Sequence, residues 1–274
     1  MKTAKRAISG TVIALFVLLS LFPIYWLVVT SLKPSEILFT ESARLLPHVV
    51  TLDNYYDVME RTPIFRYFLN SMLLSVTAVL VCLFVASLAA YAISRYRFRG
   101  RKLFFLLMLS SQMLPLTTLI VPLYMIWGNF KLLDSHASIL ITYAGFFVPV
   151  AIWLLTSYLQ SIPKIIDEAA IIDGCGVMRR LFTVILPLAM PGLMAAALSI
   201  FISAWQELMI STTFLQSDHL KTVPAGVSSF ITHKGIQWGS LTAAGVIACI
   251  PILLVFLVLQ KALIGGLTEG AVKG

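Results

Sequence analysis

Trp205, Gln206 and Glu207 set an aromatic face, a carboxamide and a carboxylate side by side in an otherwise apolar stretch, with Ser203 one helical turn before Glu207. Such groups hydrogen-bond polar solutes. Gln112 and Tyr143, each in a different apolar stretch, are of the same kind. Glu207 is the only carboxylate well inside such a stretch. A charge there costs about 2.5–3.5 kcal/mol on membrane-insertion scales, so a role or a partner is expected. Two readings stay open: Glu207 lines a path for a polar solute, or it braces the packed helices through a hydrogen bond. Gln112 and Tyr143 carry the same ambiguity, because membrane interiors also use such groups for helix packing.

A second constellation lies between Gln160 and Pro187. Ser161-Ile162-Pro163 reads as a helix start, with Ser as N-cap and Pro in the first turn. Ile162, Ile165, Ile166, Ala169 and Ala170 recur at three- and four-residue spacing, with Lys164, Asp167 and Glu168 mainly on the other face. Gly174 and Gly176 end the helix, since glycine reaches left-handed conformations cheaply. A short amphipathic helix lies on a membrane or docks into a partner's groove. Membrane-surface helices usually carry Lys and Arg on the polar face. This one carries Asp167, Glu168 and Asp173, which favours a protein partner.

Other chemistries have no residues to carry them. The sequence holds no G-x-x-x-x-G-K-[ST] phosphate-cradling loop, no H-E-x-x-H and no G-x-S-x-G. Its three cysteines show no metal spacing. His48, His136, His219 and His233 fall in loops between apolar stretches and read as solvated. The chain is therefore expected to bind no ATP, cofactor or metal of its own. If it moves a solute, the energy comes from a gradient or a partner.

The elements that must position these groups follow from composition. Hydrophobic residues make up 59% of the 274 positions and charged residues 12%; soluble domains average about 45–50% and about 25%. So few charges do not cover a globular surface. A soluble enzyme, a disordered chain and a disulfide scaffold are excluded, and an all-α polytopic membrane protein remains. Apolar stretches at about 7–32, 70–93, 103–127, 137–159, 188–214 and 241–264 give six spans in one transmembrane domain over 1–274. The first is too long for a signal peptide. Between the fourth and fifth spans lies the loop 160–187, and a tail follows at 265–274. Arg95–Lys102 packs five cations into eight residues, which are hard to translocate. This puts that loop, the loop 160–187 and both termini on the cytoplasmic side. The net charge of +8 then reflects retained loops and not nucleic-acid binding. Pro115, Pro122, Pro149, Pro191 and Pro251 fall across four spans, which favours a bundle bent around a pathway.

Glu168-Ala169-Ala170, three residues, Gly174, nine residues and then Val184-Ile185-Leu186-Pro187 resembles the EAA loop of ABC importer permeases, with Val184 where that family usually has Ile. Thr51-Leu52-Asp53-Asn54-Tyr55, Asn70-Ser71, Ala90-Tyr91-Ala92 with Arg95, and Phe98-Arg99-Gly100-Arg101 are similar to segments of the carbohydrate-uptake members. Trp205-Gln206-Glu207 resembles their W-N-E, with Gln206 in place of Asn. The tail Gly266–Gly274 is similar to the ending of a maltose-type permease subunit.

The resemblance implies a type I ABC importer permease fold in a bacterial or archaeal inner membrane. It implies a second, homologous permease subunit, two cytoplasmic ATPase subunits that hold ATP and Mg, an external binding protein and a sugar substrate. The helix at 160–187 becomes the coupling helix. Glu168 contacts the ATPase together with Asp173, Ala169 and Ala170 permit close approach, and Gly174 allows the turn. Alternating access is the implied mechanism. Sugars are read by planar polar groups and aromatic faces, which Ser203, Trp205, Gln206 and Glu207 supply. A permease for another polar solute such as glycerol phosphate is the first alternative, and a self-contained carrier or channel the second.

Overall fold

The computed structural model describes residues 2–39, 45–233 and 235–271. Its helices are α1 (Lys2–Ser31), α2 (Asp53–Arg61), α3 (Ile64–Arg95), α4 (Arg101–Ser111), α5 (Leu116–Asn129), α6 (His136–Ser161) and α7 (Ile165–Ile172). There follow α8 (Val177–Arg180), a π-helical turn (Leu181–Ile185), α9 (Leu186–Leu188), α10 (Met190–Trp205), α11 (Met209–Phe214), α12 (Val223–Ser228) and α13 (Trp238–Ala271). Two short strands, β1 (Ile231–Thr232) and β2 (Gly235–Ile236), pair antiparallel.

Among the described residues, four helices are long and apolar enough to cross a membrane: α1, α3, α6 and α13. The count becomes six if each of two bent pairs is one span. In the first pair α4 and α5 meet at 95°. The break falls at Pro115, whose backbone is extended immediately before α5, because proline removes a helical donor and crowds the preceding turn. In the second, residues 177–188 meet α10 at 83°. Pro191 sits in the first turn of α10, where a missing N–H costs nothing. Pro122, Pro149 and Pro251 lie inside continuous helices.

The chain divides into two compact units. In the first, residues 1–64 and 226–250, Asn54 is buried and donates to the carbonyls of Ser31 at 2.9 Å and Lys33 at 2.8 Å. The Tyr55 hydroxyl meets Ser31 Oγ at 2.8 Å. The T-L-D-N-Y segment thus pins the end of α1. In the second unit, residues 65–225 and 251–274, α3 presents Leu74, Ala78, Cys82, Ala86 and Ala90 to the core at four-residue intervals. Small residues on that stripe let neighbouring helices approach closely. From α6 come Ile139, Tyr143, Ile152, Leu155 and Leu159, and from α10 Leu193, Ala196, Ile200 and Ala204. Outward faces carry large apolar side chains such as Phe16, Leu18, Leu80 and Phe84, as expected of a surface solvated by lipid.

Several boundaries depart from the sequence reading. Helix α3 begins at Ile64, ahead of Asn70 and Ser71. These two instead hold the later loop: Asn70 Nδ2 donates to the carbonyls of His219 at 3.0 Å and Lys221 at 2.9 Å, and Ser71 Oγ accepts the Val223 amide at 2.8 Å. Ser161 does not cap α7. It ends α6, its hydroxyl donating to Tyr158 O at 2.7 Å. Pro163 forces Ile162 into an extended conformation, so the helical run breaks there and α7 starts at Ile165. The expected fifth span, 188–214, is interrupted after Trp205 and resumes as α11 at Met209. Of the tail at 265–274, the residues through Ala271 continue α13, and 272–274 lie outside the described residues.

Candidate functional site

Two places gather the residues singled out by the sequence. At the first, the turn between α10 and α11 carries Gln206 and Glu207. The first amides of α11 have no intrahelical acceptor. Glu207 supplies one: Oε1 accepts the Ile210 N–H at 2.6 Å and Oε2 the Ser211 N–H at 3.1 Å. A carboxylate at a helix N-terminus also meets the positive end of the helix dipole. The hydroxyl of Tyr143 on α6 donates to Oε2 at 3.3 Å. Glu207 is therefore a brace, as one reading held.

It also lines a cavity of about 480 Å³ with Gln112, Tyr143, Ser203 and Gln206. That volume lies within the range of about 300–1,000 Å³ of small-molecule pockets. Gln112 is anchored through Nε2 to Phe146 O at 3.2 Å. Phe146 and Phe147 add aromatic faces that the sequence reading did not pick out. Trp205 lies apart. It is buried, stacked on Phe201 with ring centroids 5.8 Å apart, and edge-on to Phe68 at 5.6 Å. The last turn of α10 turns its ring into the packing, whereas Gln206, at the helix end, is exposed.

The second place is α7. Glu168, Ala169, Asp173 and Gly174 are exposed, whereas Ala170 is buried within this chain. The helix ends in a Schellman motif: the Cys175 amide donates to Ala170 O at 2.9 Å and the Gly174 amide to Ile171 O at 3.0 Å. Gly174 has φ +74, and a Cβ added there would meet nothing within 4 Å. Its glycine is required by backbone conformation, as the sequence indicates. Gly176 has an ordinary φ of −65 and precedes α8.

The faces of α7 follow the expected pattern at Lys164 and Glu168, which are exposed, and depart from it at Asp167. Ile165, Ile171 and Ile172 are exposed, Ile172 to 86%, and Asp167 is buried to 7%. Asp167 Oδ2 lies 2.8 Å from Arg95 Nε, and Oδ1 lies 3.4 Å from Arg180 Nε. The Tyr91 hydroxyl donates to Asp167 Oδ1 at 2.8 Å and accepts from Arg180 Nε at 2.5 Å. The same helix presents Ile165, Ile171 and Ile172 outward. Beside them a depression of about 390 Å³ is lined by Ile165, Ile166, Ala169, Ala170, Asp173, Cys175 and Val184.

Residues 82–268 match the family of binding-protein-dependent transport system inner membrane components. The chain belongs to this family. It is 35% identical over 263 residues to a trehalose/maltose transport system permease protein of Thermococcus litoralis, covering 95% of this chain and 94% of that one. It is 34% identical to a diacetylchitobiose uptake system permease protein of Streptomyces coelicolor, covering 98% of this chain and 100% of the relative. A sulfoquinovosyl glycerol transport system permease protein of Agrobacterium fabrum is 32% identical over 93% of this chain and 89% of its own length. Among solved structures, a bacterial ABC transporter involved in the import of the acidic polysaccharide alginate has a chain that superposes with a TM-score of 0.79 at 23% identity, covering 94% of this chain and 96% of that one. The fold is that of the ABC importer permeases, and the chain is an inner-membrane component of a transport system.

Proposed function

We propose that this chain is one permease subunit of an ATP-driven sugar importer, forming half of the pathway with a second, homologous subunit. The named relatives carry trehalose, maltose, diacetylchitobiose and sulfoquinovosyl glycerol. The observation that carries the reading here is the 480 Å³ cavity, where the carboxamides of Gln112 and Gln206, the Ser203 hydroxyl, the Glu207 carboxylate and aromatic faces converge. Planar hydrogen-bonding groups beside aromatic rings suit a sugar.

Energy is supplied from outside the chain. Two cytoplasmic ATPase subunits hold ATP and Mg, and an external binding protein delivers the sugar. The coupling surface on this chain is α7, with Glu168, Ala169, Asp173 and the exposed isoleucines facing the ATPase and Gly174 setting the turn. Exposed isoleucines on a short helix suit a helix-in-groove contact. This assignment puts 160–187, both termini and Arg95–Lys102 on the cytoplasmic side. ATP closes the ATPase pair, α7 follows, and access to the cavity alternates between the two faces.

The test is reconstitution of the full complex in proteoliposomes with its binding protein. Maltose, trehalose and diacetylchitobiose are offered in turn, and ATP hydrolysis and uptake are measured. Binding-protein-stimulated hydrolysis with uptake of one of them is expected. Uptake by this chain alone, without the ATPase, would replace the reading with that of a self-contained carrier.

A further inference from the structure

Helix α7 is anchored in an unusual way. Its eight residues fall below the length of about 12–15 at which a helix is even marginally stable alone. Of its side chains only Asp167 and Ala170 are buried. Ile166 is half-buried against the hydrophobic core and an alanine buries little apolar area, so the polar tie between α7 and the bundle is a carboxylate.

Two helices, α3 and α8, converge on that carboxylate, and their arginines are held in turn by Ile162 and Tyr96. From the end of α3 come Tyr91 and Arg95, and Tyr96 follows just beyond. Arg95 Nη2 donates to Ile162 O at 3.1 Å, at the joint between α6 and α7. From α8 comes Arg180, whose Nη2 donates to the Tyr96 hydroxyl at 3.2 Å and whose guanidinium lies 5.9 Å from the Tyr91 ring centre. Tyr91, Asp167 and Arg180 are all more than nine-tenths buried. Arg95 Nε and Asp167 Oδ2 approach to 2.8 Å without hydrogen-bond alignment, so that contact is held by charge.

A buried carboxylate is tolerated only while it is paired. A displacement of α7 that left Arg95 and Arg180 behind would strand three charges away from water. Apolar contacts slide, whereas this cluster moves as one body or breaks. We propose that Asp167, held by Arg95, Arg180 and Tyr91, is the positioning residue that transmits movement of α7 to the C-terminal end of α3. The inference rests on the reading that α7 docks on an ATPase.

The test uses the full complex in proteoliposomes, with Cys82, Cys175 and Cys249 replaced by Ser and a reporter at Gln206→Cys in the cavity. The complex is trapped with Mg·ATP and vanadate, trapped ADP is counted, and labelling by a membrane-impermeant maleimide is timed. In the parent, trapping is expected to change the labelling rate by about tenfold, the size of a typical allosteric coupling. Asp167→Asn is expected to trap the same amount of ADP and to lose that response, with Asp167→Glu retaining it. A merely structural residue would lower the amount of complex and leave the response per trapped ADP unchanged; that result from Asp167→Asn overturns the proposal. If Asp167→Asn does not accumulate, Tyr91→Phe, which removes only the bridging hydroxyl, decides. A response cut at least about threefold supports the proposal, within the range of coupling changes seen on mutation, and a full response overturns it. A parent complex with no nucleotide-dependent labelling would instead refute the coupling reading itself.

Discussion

Tyr143 and Glu207 meet at 3.3 Å between the middle of α6 and the turn that follows α10. The contact joins a cavity wall to the cap of α11, so one carboxylate serves both.

Substitution separates the two roles. Glu207→Ala removes the acceptor of the Ile210 and Ser211 amides, and losing a helix cap costs about 0.5–2 kcal/mol. The melting temperature of the purified complex should fall by a few degrees, at about 2–4 °C per kcal/mol for a chain of this size, and uptake should drop. Glu207→Gln keeps the shape and one carbonyl acceptor but loses the charge. Its NH2 group faces one donor amide, so it should melt between Glu207→Ala and the parent while still lowering uptake. Normal uptake by the Gln variant would confine Glu207 to bracing.

Gly192 on α10 packs directly on Tyr158 of α6. A Cβ at position 192 would lie 2.5–2.9 Å from the Tyr158 Cβ and ring. The near atoms are the stem of the tyrosine, not its mobile end, so the helices must separate. Gly192→Ala should destabilise the complex by about 1–3 kcal/mol, as overpacking does. Adding Tyr158→Ala should recover part of that loss, read as melting temperature of the double variant against each single one.

Acid should loosen one set of loops in a defined direction. Hydrogen bonds from the Ser217 side chain and amide hold the Asp134 carboxyl below its usual range. Lys221, with Nζ at 2.9 Å, and the Tyr67 hydroxyl do the same for Asp218. A lowered folded-state pKa gives stability that is present above the ordinary aspartate value of about 3.9. It is lost as pH falls through the folded value. Exchange of the Gln216 and Ser217 amides, corrected for intrinsic rate, should therefore quicken below about pH 4. Asp134→Asn should show faster exchange at pH 7, with the difference from the parent vanishing in acid. An equal difference at both pH values would refute the assignment.

What was legible in the sequence was mostly local. Gly174 follows a run of helical spacing, and its left-handed φ matches the expectation. Pro115 marks a break, although the 95° turn depends on packing. Glu207 stands out by charge alone. Asp167 was hidden because its partners, Tyr91, Arg95 and Arg180, lie on other helices. On spacing alone its charge places it on the solvated face, and Arg95 reads as one more retained cation. Trp205 shows the same limit. Its type suits a solute, but the helical phase that turns its ring onto Phe68 and Phe201 is fixed by tertiary packing.

The proposed coupling surface on α7 makes the sharpest distinction between backbone and contact. At φ +74 a residue other than glycine costs about 1–2 kcal/mol, and asparagine tolerates that conformation better than most. A Cβ at position 174 would meet nothing within 4 Å in this chain, so the clash to be tested is with a partner packed beside it. Gly174→Asn and Gly174→Leu should both reach the membrane at near-parent levels. If α7 seats in an ATPase groove, the Leu variant should lose ATPase subunits on purification and most of its uptake, and the Asn variant should keep a larger share of both. Glu168→Lys should weaken the same contact through charge, because Glu168 is exposed and makes no ion pair within this chain among the described residues. Raising the salt concentration should then narrow the gap between Glu168→Lys and the parent and leave the Leu defect unchanged. A Gly174→Leu complex that keeps its full complement of ATPase and its binding-protein-stimulated turnover would remove α7 from the ATPase interface.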